Sequence, residues 1–210
     1  MTPGDEAQSF PHDWRAEVLA QPPLIAPARQ FTYPRQVAGE EDALARGALL
    51  VLVHPARSAD PQPSIQPGGD FLATCALGFT NSAMPTGIFA CPNPRELCAV
   101  AGGYAYVFDT AAPDRSTHIP LKPVAEVCVL AAHRLLVFVG FHAIVAWGRE
   151  GLAWQTARLS WEGIRIVGIG VRADANGTAA LHGFGWNLTT DKEVAFSVDL
   201  RTGAHTGGGF

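Results

Sequence analysis

The stretch Leu135–Leu159, LLVFVGFHAIVAWGREGLAWQTARL, decides the fold class. Its apolar residues come in short runs broken at Gly140-Phe141-His142 and at Gly148-Arg149-Glu150-Gly151. Runs this short cannot sustain a free-standing helix, and they carry the β-branched and aromatic residues that suit a pleated surface. The stretch therefore predicts three strands joined by tight turns.

The same layout recurs on either side. Leu97–Asp109 reads LCAVAGGYAYVFD, a strand, a Gly-Gly turn and a second strand, followed by TAAPD and a third strand from Ser116 to Leu121. A looser copy runs from Thr178 (TAALHG) through the hairpin FGWNLTTDK to Glu193–Leu200 (EVAFSVDL) and a turn at Arg201-Thr202-Gly203. Each copy is preceded by one more strand, at Gly87–Cys91, Ala125–Leu130 and Ile164–Val171. The expected units are thus antiparallel four-stranded meanders over 87–123, 124–163 and 164–208.

Three segments, VFDTAAPDRSTHIPL, VAWGREGLAWQTARL and SVDLRTGAHTGG, resemble the strand-turn-strand segments of quinoprotein-type and WD-type β-propeller repeats. In such repeats an aspartate or glycine ends one strand and a Gly-Trp pair opens the next. The resemblance covers about residues 87–208 and implies propeller-like blades. Gly151 and Trp154 supply the single Gly-x-x-Trp of the quinoprotein type, and no Gly-His to Trp-Asp pairing is present, so the resemblance brings no cofactor or partner with it. The fold class expected is all-β with blade-like sheets, and the alternative packing of the same meanders is a two-sheet β-sandwich.

Upstream, prolines at positions 3, 11, 22, 23 and 27 mark residues 1–30 as an arm, with Phe10, Trp14 and Leu19 as anchors and a short helix over Asp13–Gln21. The remainder, 31–210, is expected to form one all-β domain. Phe31–Val37 predicts a strand that Pro34 restricts to a sheet edge. One helical turn in EEDALAR leads into a strand at Ala48–His54, and the Pro-rich Pro55–Gly69 predicts a surface loop before the strand Phe71–Phe79.

Charged residues make up 16 % of the chain, well below the usual quarter, so part of the surface must be covered by glycine, proline and loops or buried against another copy. Self-association follows as an expectation. The net charge is −4 and the chain holds two lysines, Lys122 and Lys192, so no basic stripe exists and nucleic acid is excluded as an expected partner. No apolar run approaches bilayer length, and MTPGDEAQSF shows neither the charged start nor the apolar centre of an export signal. The expectation is a cytoplasmic protein without membrane contact.

Cys75, Cys91, Cys98 and Cys128 match no zinc spacing and read as buried small hydrophobes. His118, His133, His142, His182 and His205 form no H-x-H or H-x-x-x-H pair, no G-x-S-x-G occurs, and the glycine-rich runs lack the following helix and lysine of a phosphate cradle. No metal or other cofactor is expected, and the chain leans away from an enzyme. Tryptophans are the remaining signal. Trp147, Trp154, Trp161 and Trp186 crowd together in sequence, and Trp161 and Trp186, flanked by turn residues, are the candidate ligand-binding aromatics. The expected function is a non-catalytic protein-interaction or structural module that binds protein or itself. Two alternatives stand beside it: a hydrolase using a loop-borne pair such as His142 and Asp109, and a small-ligand or carbohydrate binder using Trp161 and Trp186.

Overall fold

A computed structural model describes residues 9–34, 43–56, 69–171 and 178–209. The fold is all-β, with sixteen strands in four four-stranded sheets among these residues. Most of the Pro55–Gly69 loop expected from the sequence lies outside them. The chain divides into two compact units, Met1–Pro123 and Val124–Phe210.

In the first unit, β1 (Arg15–Leu19), β2 (Arg29–Tyr33), β3 (Ala48–His54) and β4 (Phe71–Ala76) form a sheet in the order β1-β3-β4-β2. The helix expected over Asp13–Gln21 is a strand instead. Nine residues are too few to hold a helix alone, and pairing with β3 satisfies their backbone directly, Arg15 opposite His54 through Leu19 opposite Leu50. β2 lies at the edge and stops before Pro34, as its missing N–H requires, and it runs parallel to β4. A 3₁₀ turn, Ala43–Arg46, leads into β3.

The second sheet of this unit is a meander of β5 (Gly87–Ala90), β6 (Glu96–Ala101), β7 (Tyr104–Asp109) and β8 (Ser116–His118). Aromatic rings join it to the first sheet. Tyr33 stacks on Phe108 with centroids 4.8 Å apart, Phe71 meets Phe108 edge-on at 6.1 Å, and both tyrosines keep their hydroxyls satisfied. The Tyr33 hydroxyl donates to the Pro113 carbonyl at 2.7 Å and that of Tyr106 to the Ala76 carbonyl at 2.9 Å.

The second unit holds two more meanders. One comprises β9 (Val124–Leu130), β10 (Leu135–Gly140), β11 (Ile144–Gly148) and β12 (Gly151–Gln155); the other β13 (Ile164–Val171), β14 (Ala179–Asn187), β15 (Lys192–Asp199) and β16 (His205–Gly207). Val137, Val139, Ile144 and Ala146 from the first pack on Leu181, Phe196 and Val198 from the second in one buried cluster that also takes in Trp154 and Leu159. The indole of Trp154 is buried and donates to the Leu200 carbonyl at 2.8 Å.

The crossing from β12 to β13 is fastened on both sides. Thr156 exchanges bonds with Ile144, the Leu159 N–H donates to the His142 carbonyl at 2.7 Å, and the Leu159 carbonyl accepts from the Gly209 N–H at 2.8 Å. Residue 185 on β14 must be glycine because a Cβ there would run into that same Leu159 carbonyl.

Two turns share one device. Asp109, at the end of β7, accepts from the N–H groups of Ala111 and Ala112; Asp199, at the end of β15, accepts from those of Arg201 and Thr202. Burial opposes the charge on Asp199, but these N–H groups, the Thr202 hydroxyl and the Arg201 charge outweigh it and hold the carboxyl below its ordinary range. All four cysteines are free, and burial pushes their thiols up, Cys128 to about 12 with help from Glu126. They serve as core packing, and as poor nucleophiles.

Gly185→Ala lowers stability by about 2 kcal/mol or more, read as a fall in the urea midpoint, since backbone rather than a mobile side chain opposes the new methyl. Asp199 gives a pH-dependent counterpart. Its folded carboxyl ionises more readily than the unfolded one, so its contribution is present above the unfolded pKa of about 4 and fades as pH falls through the folded value. The stability gap between wild type and Asp199→Asn is therefore largest at neutral pH and narrows toward pH 3 (about), in urea melts run across that range.

Candidate functional site

Within the second unit the β12–β13 crossing gathers three of the residues expected to bind a ligand. Trp161 carries the only large ring in the crossing left substantially open, 41 % exposed, whereas Trp147 and Trp154 are buried. The Arg158 guanidinium lies over the Trp161 ring at 4.5 Å. It is held there by donation from Nε to the Ser160 carbonyl at 3.0 Å and from Nη2 to the Trp161 carbonyl at 3.1 Å. Such a stack presents a flat cationic and aromatic surface with little rotamer freedom left to lose.

Ser160 is the hub of this arrangement. Its hydroxyl is fully buried, donates to the Gly163 carbonyl at 2.5 Å and accepts from the Trp186 N–H at 2.7 Å. The Trp161 N–H then donates to the Trp186 carbonyl at 2.9 Å. Trp161 and Trp186 are thus brought together by main-chain bonds, and Trp186 is half-buried.

His142 joins the same cluster. Its Nδ1 lies 3.2 Å from the Ser160 carbonyl and 3.3 Å from Arg158 Nη2. A single ring nitrogen serves one of these at a time: protonated, it donates to the carbonyl; unprotonated, it accepts from the guanidinium. Asp109 lies in the first unit, where its carboxylate caps its own turn and holds Arg95 at 2.7 Å. The charged group that touches His142 is Arg158.

Arg158 and Ser160 escaped the sequence reading because neither stands in a motif. The available hint was spacing: an arginine three residues before a tryptophan in a connection rather than a strand.

The crossing leads directly into β13, the edge of its sheet. Along this strand Ile164, Ile166, Gly168 and Gly170 are half-buried while Arg165, Val167, Ile169 and Val171 are exposed. An ordinary one-sided strand places polar groups there. Val167, Ile169 and Val171 are instead 62, 46 and 67 % exposed. The pairing shifts register between Ile166 and Gly168, with Val167 in the bulge. Beyond it Ile169 stands opposite the buried Leu181 and Val171 opposite Ala179, so these two continue the core face past the point where it is covered. Arg165, the one charge on the strand, is turned onto its neighbours, over the Phe184 ring at 4.5 Å and paired with Glu193 at 2.8 Å.

No family model, no curated protein and no solved structure matches this chain. Function rests on the site itself. Among the described residues no three His, Cys, Asp or Glu side chains are grouped to hold a metal ion, and no helix is long and apolar enough to cross a membrane.

Ser160→Ala removes an acceptor from the Trp186 N–H and a donor from the Gly163 carbonyl in a dry setting, and costs about 1–3 kcal/mol in chemical denaturation. It also loosens Trp161, seen as a red shift of the emission maximum that Trp161→Phe abolishes.

Proposed function

We propose that this protein is a non-catalytic interaction module that docks a protein partner, a second copy of itself included, along β13. The observation that carries this is the row Val167, Ile169 and Val171, exposed on an edge strand whose outer side no other described strand pairs. Natural edges are blunted with lysine, proline, inward-pointing charge or a bulge; this one carries the bulge at Val167 but no lysine or proline, and its arginine is engaged within its own sheet. An added strand would find unpaired backbone groups, and each aliphatic side chain it covered would contribute roughly 1–2 kcal/mol.

Trp161 and Arg158, immediately before the strand, add the residue types that dominate binding energy at protein interfaces. In this reading the meanders act as blade-like units with an outer edge left for a partner, as the resemblance of the sequence to propeller repeats implies. The low charge of the chain fits the same role.

An interface of this size is weak, with Kd on the order of micromolar or higher. Sedimentation velocity of the full chain checks it. Wild type associates reversibly as its concentration rises, and Ile169→Lys with Val171→Lys remains monomeric while keeping the circular dichroism of wild type. A wild-type chain that stays monomeric up to ~100 μM, and whose β13 amide signals are unmoved by dilution, would sink the self-pairing.

A further inference from the structure

The first unit holds a separate cleft of about 730 Å³, within the roughly 300–1,000 Å³ range of small-molecule sites. Its walls are fixed by bonds unrelated to any ligand. The segment before β1 is pinned to the β5–β6 turn, the Asp13 N–H donating to the Pro94 carbonyl at 3.1 Å and the Trp14 indole to the Glu96 carbonyl at 3.2 Å. Strand pairing sets Arg15 opposite His54, and His54 Nδ1 lies 2.8 Å from the Asp70 carboxylate at the start of β4.

The lining is polar and of mixed sign: His12, Asp13, Arg15, His54 and Asp70, with the His12 ring lying over Trp14 at 4.3 Å and 33°. Both imidazoles are oriented in the same way. His12 Nδ1 lies 3.0 Å from the Phe10 carbonyl and His54 Nδ1 faces a carboxylate, and both partners accept only. Each ring therefore has its Nδ1 proton engaged, and among the described residues neither Nε2 has a partner.

The mixture selects a ligand class by elimination. A phosphate or carboxylate would meet Asp13 and Asp70, a simple cation would meet Arg15, and a metal ion would need a grouping of three donors that is absent among the described residues. A hydroxyl group both donates and accepts, so several on one ring satisfy carboxylate, guanidinium and imidazole together. The His12–Trp14 plate offers an aromatic wall to the C–H face of such a ring.

We propose that this cleft binds a neutral polyhydroxylated ligand, a mono- or oligosaccharide, through Asp13, Asp70, Arg15 and the two imidazoles. It uses none of the residues of the β13 edge, so either proposal can fail without the other.

The test is a titration of the full chain with maltose, cellobiose or N-acetylglucosamine, followed by the imidazole C–H signals of His12 and His54 in nuclear magnetic resonance. At least one sugar is expected to shift both rings saturably at millimolar concentration. Asp70→Asn and, separately, Arg15→Ala should each weaken it about tenfold with the remaining amide spectrum unchanged. Two results overturn the proposal. One is no saturable shift with any of the three at about 50 mM, which would fill even a millimolar site. The other is tighter binding on the same two rings by inorganic phosphate, putrescine or zinc.

Discussion

Leu159 is the point on which the second unit turns. Its side chain is fully buried between two sheets, its N–H is taken by the His142 carbonyl on one side, and its own carbonyl is taken by Gly209 on the other. A connecting segment buried this deeply has to satisfy its backbone, and here it does so by bridging the sheets it connects. The glycine at 185 follows from that, since the connecting chain lies against β14 with no room for a side chain. The tryptophan site follows too. Ser160 and Trp161 are held because Leu159 is, and what remains exposed is the Trp161 ring under its arginine.

Two carboxylates at strand ends share one structural role. Asp109 and Asp199 stand at the same place in two meanders and do the same thing, accepting two N–H groups of the turn that begins the last strand. In the remaining meander the corresponding turn is a tighter hairpin, with Gly148 opposite Gly151. Asp109 attracts notice in the sequence as a catalytic candidate, yet its oxygens are engaged by its own turn and by Arg95. A carboxylate at a strand end is first of all a turn residue.

The two candidate surfaces differ in chemistry because they differ in construction. The edge of β13 is apolar and open, the place where a core face runs past its cover. The cleft beside β1 and β3 is polar and open to solvent, with His12 held to the Phe10 carbonyl and His54 to the Asp70 carboxylate.

Short apolar runs and the glycines between them determined that this chain would be all-β and that three of its sheets would be meanders, because hairpins pair neighbours in sequence and leave their turns in plain view. Ile164–Val171 was legible as a strand residue for residue. The first sheet was not legible in the same way. β2 pairs in parallel with β4 across a long connection, and the arm around Trp14 is a strand only because β3 is beside it; neither choice is written in local periodicity. Nor could spacing alone show that Arg158 lies over Trp161, that His12 and His54 share a cleft, or that Val167, Ile169 and Val171 stay uncovered. An apolar residue in a strand looks the same in sequence whether a neighbouring sheet covers it or not, and that covering is decided by tertiary packing.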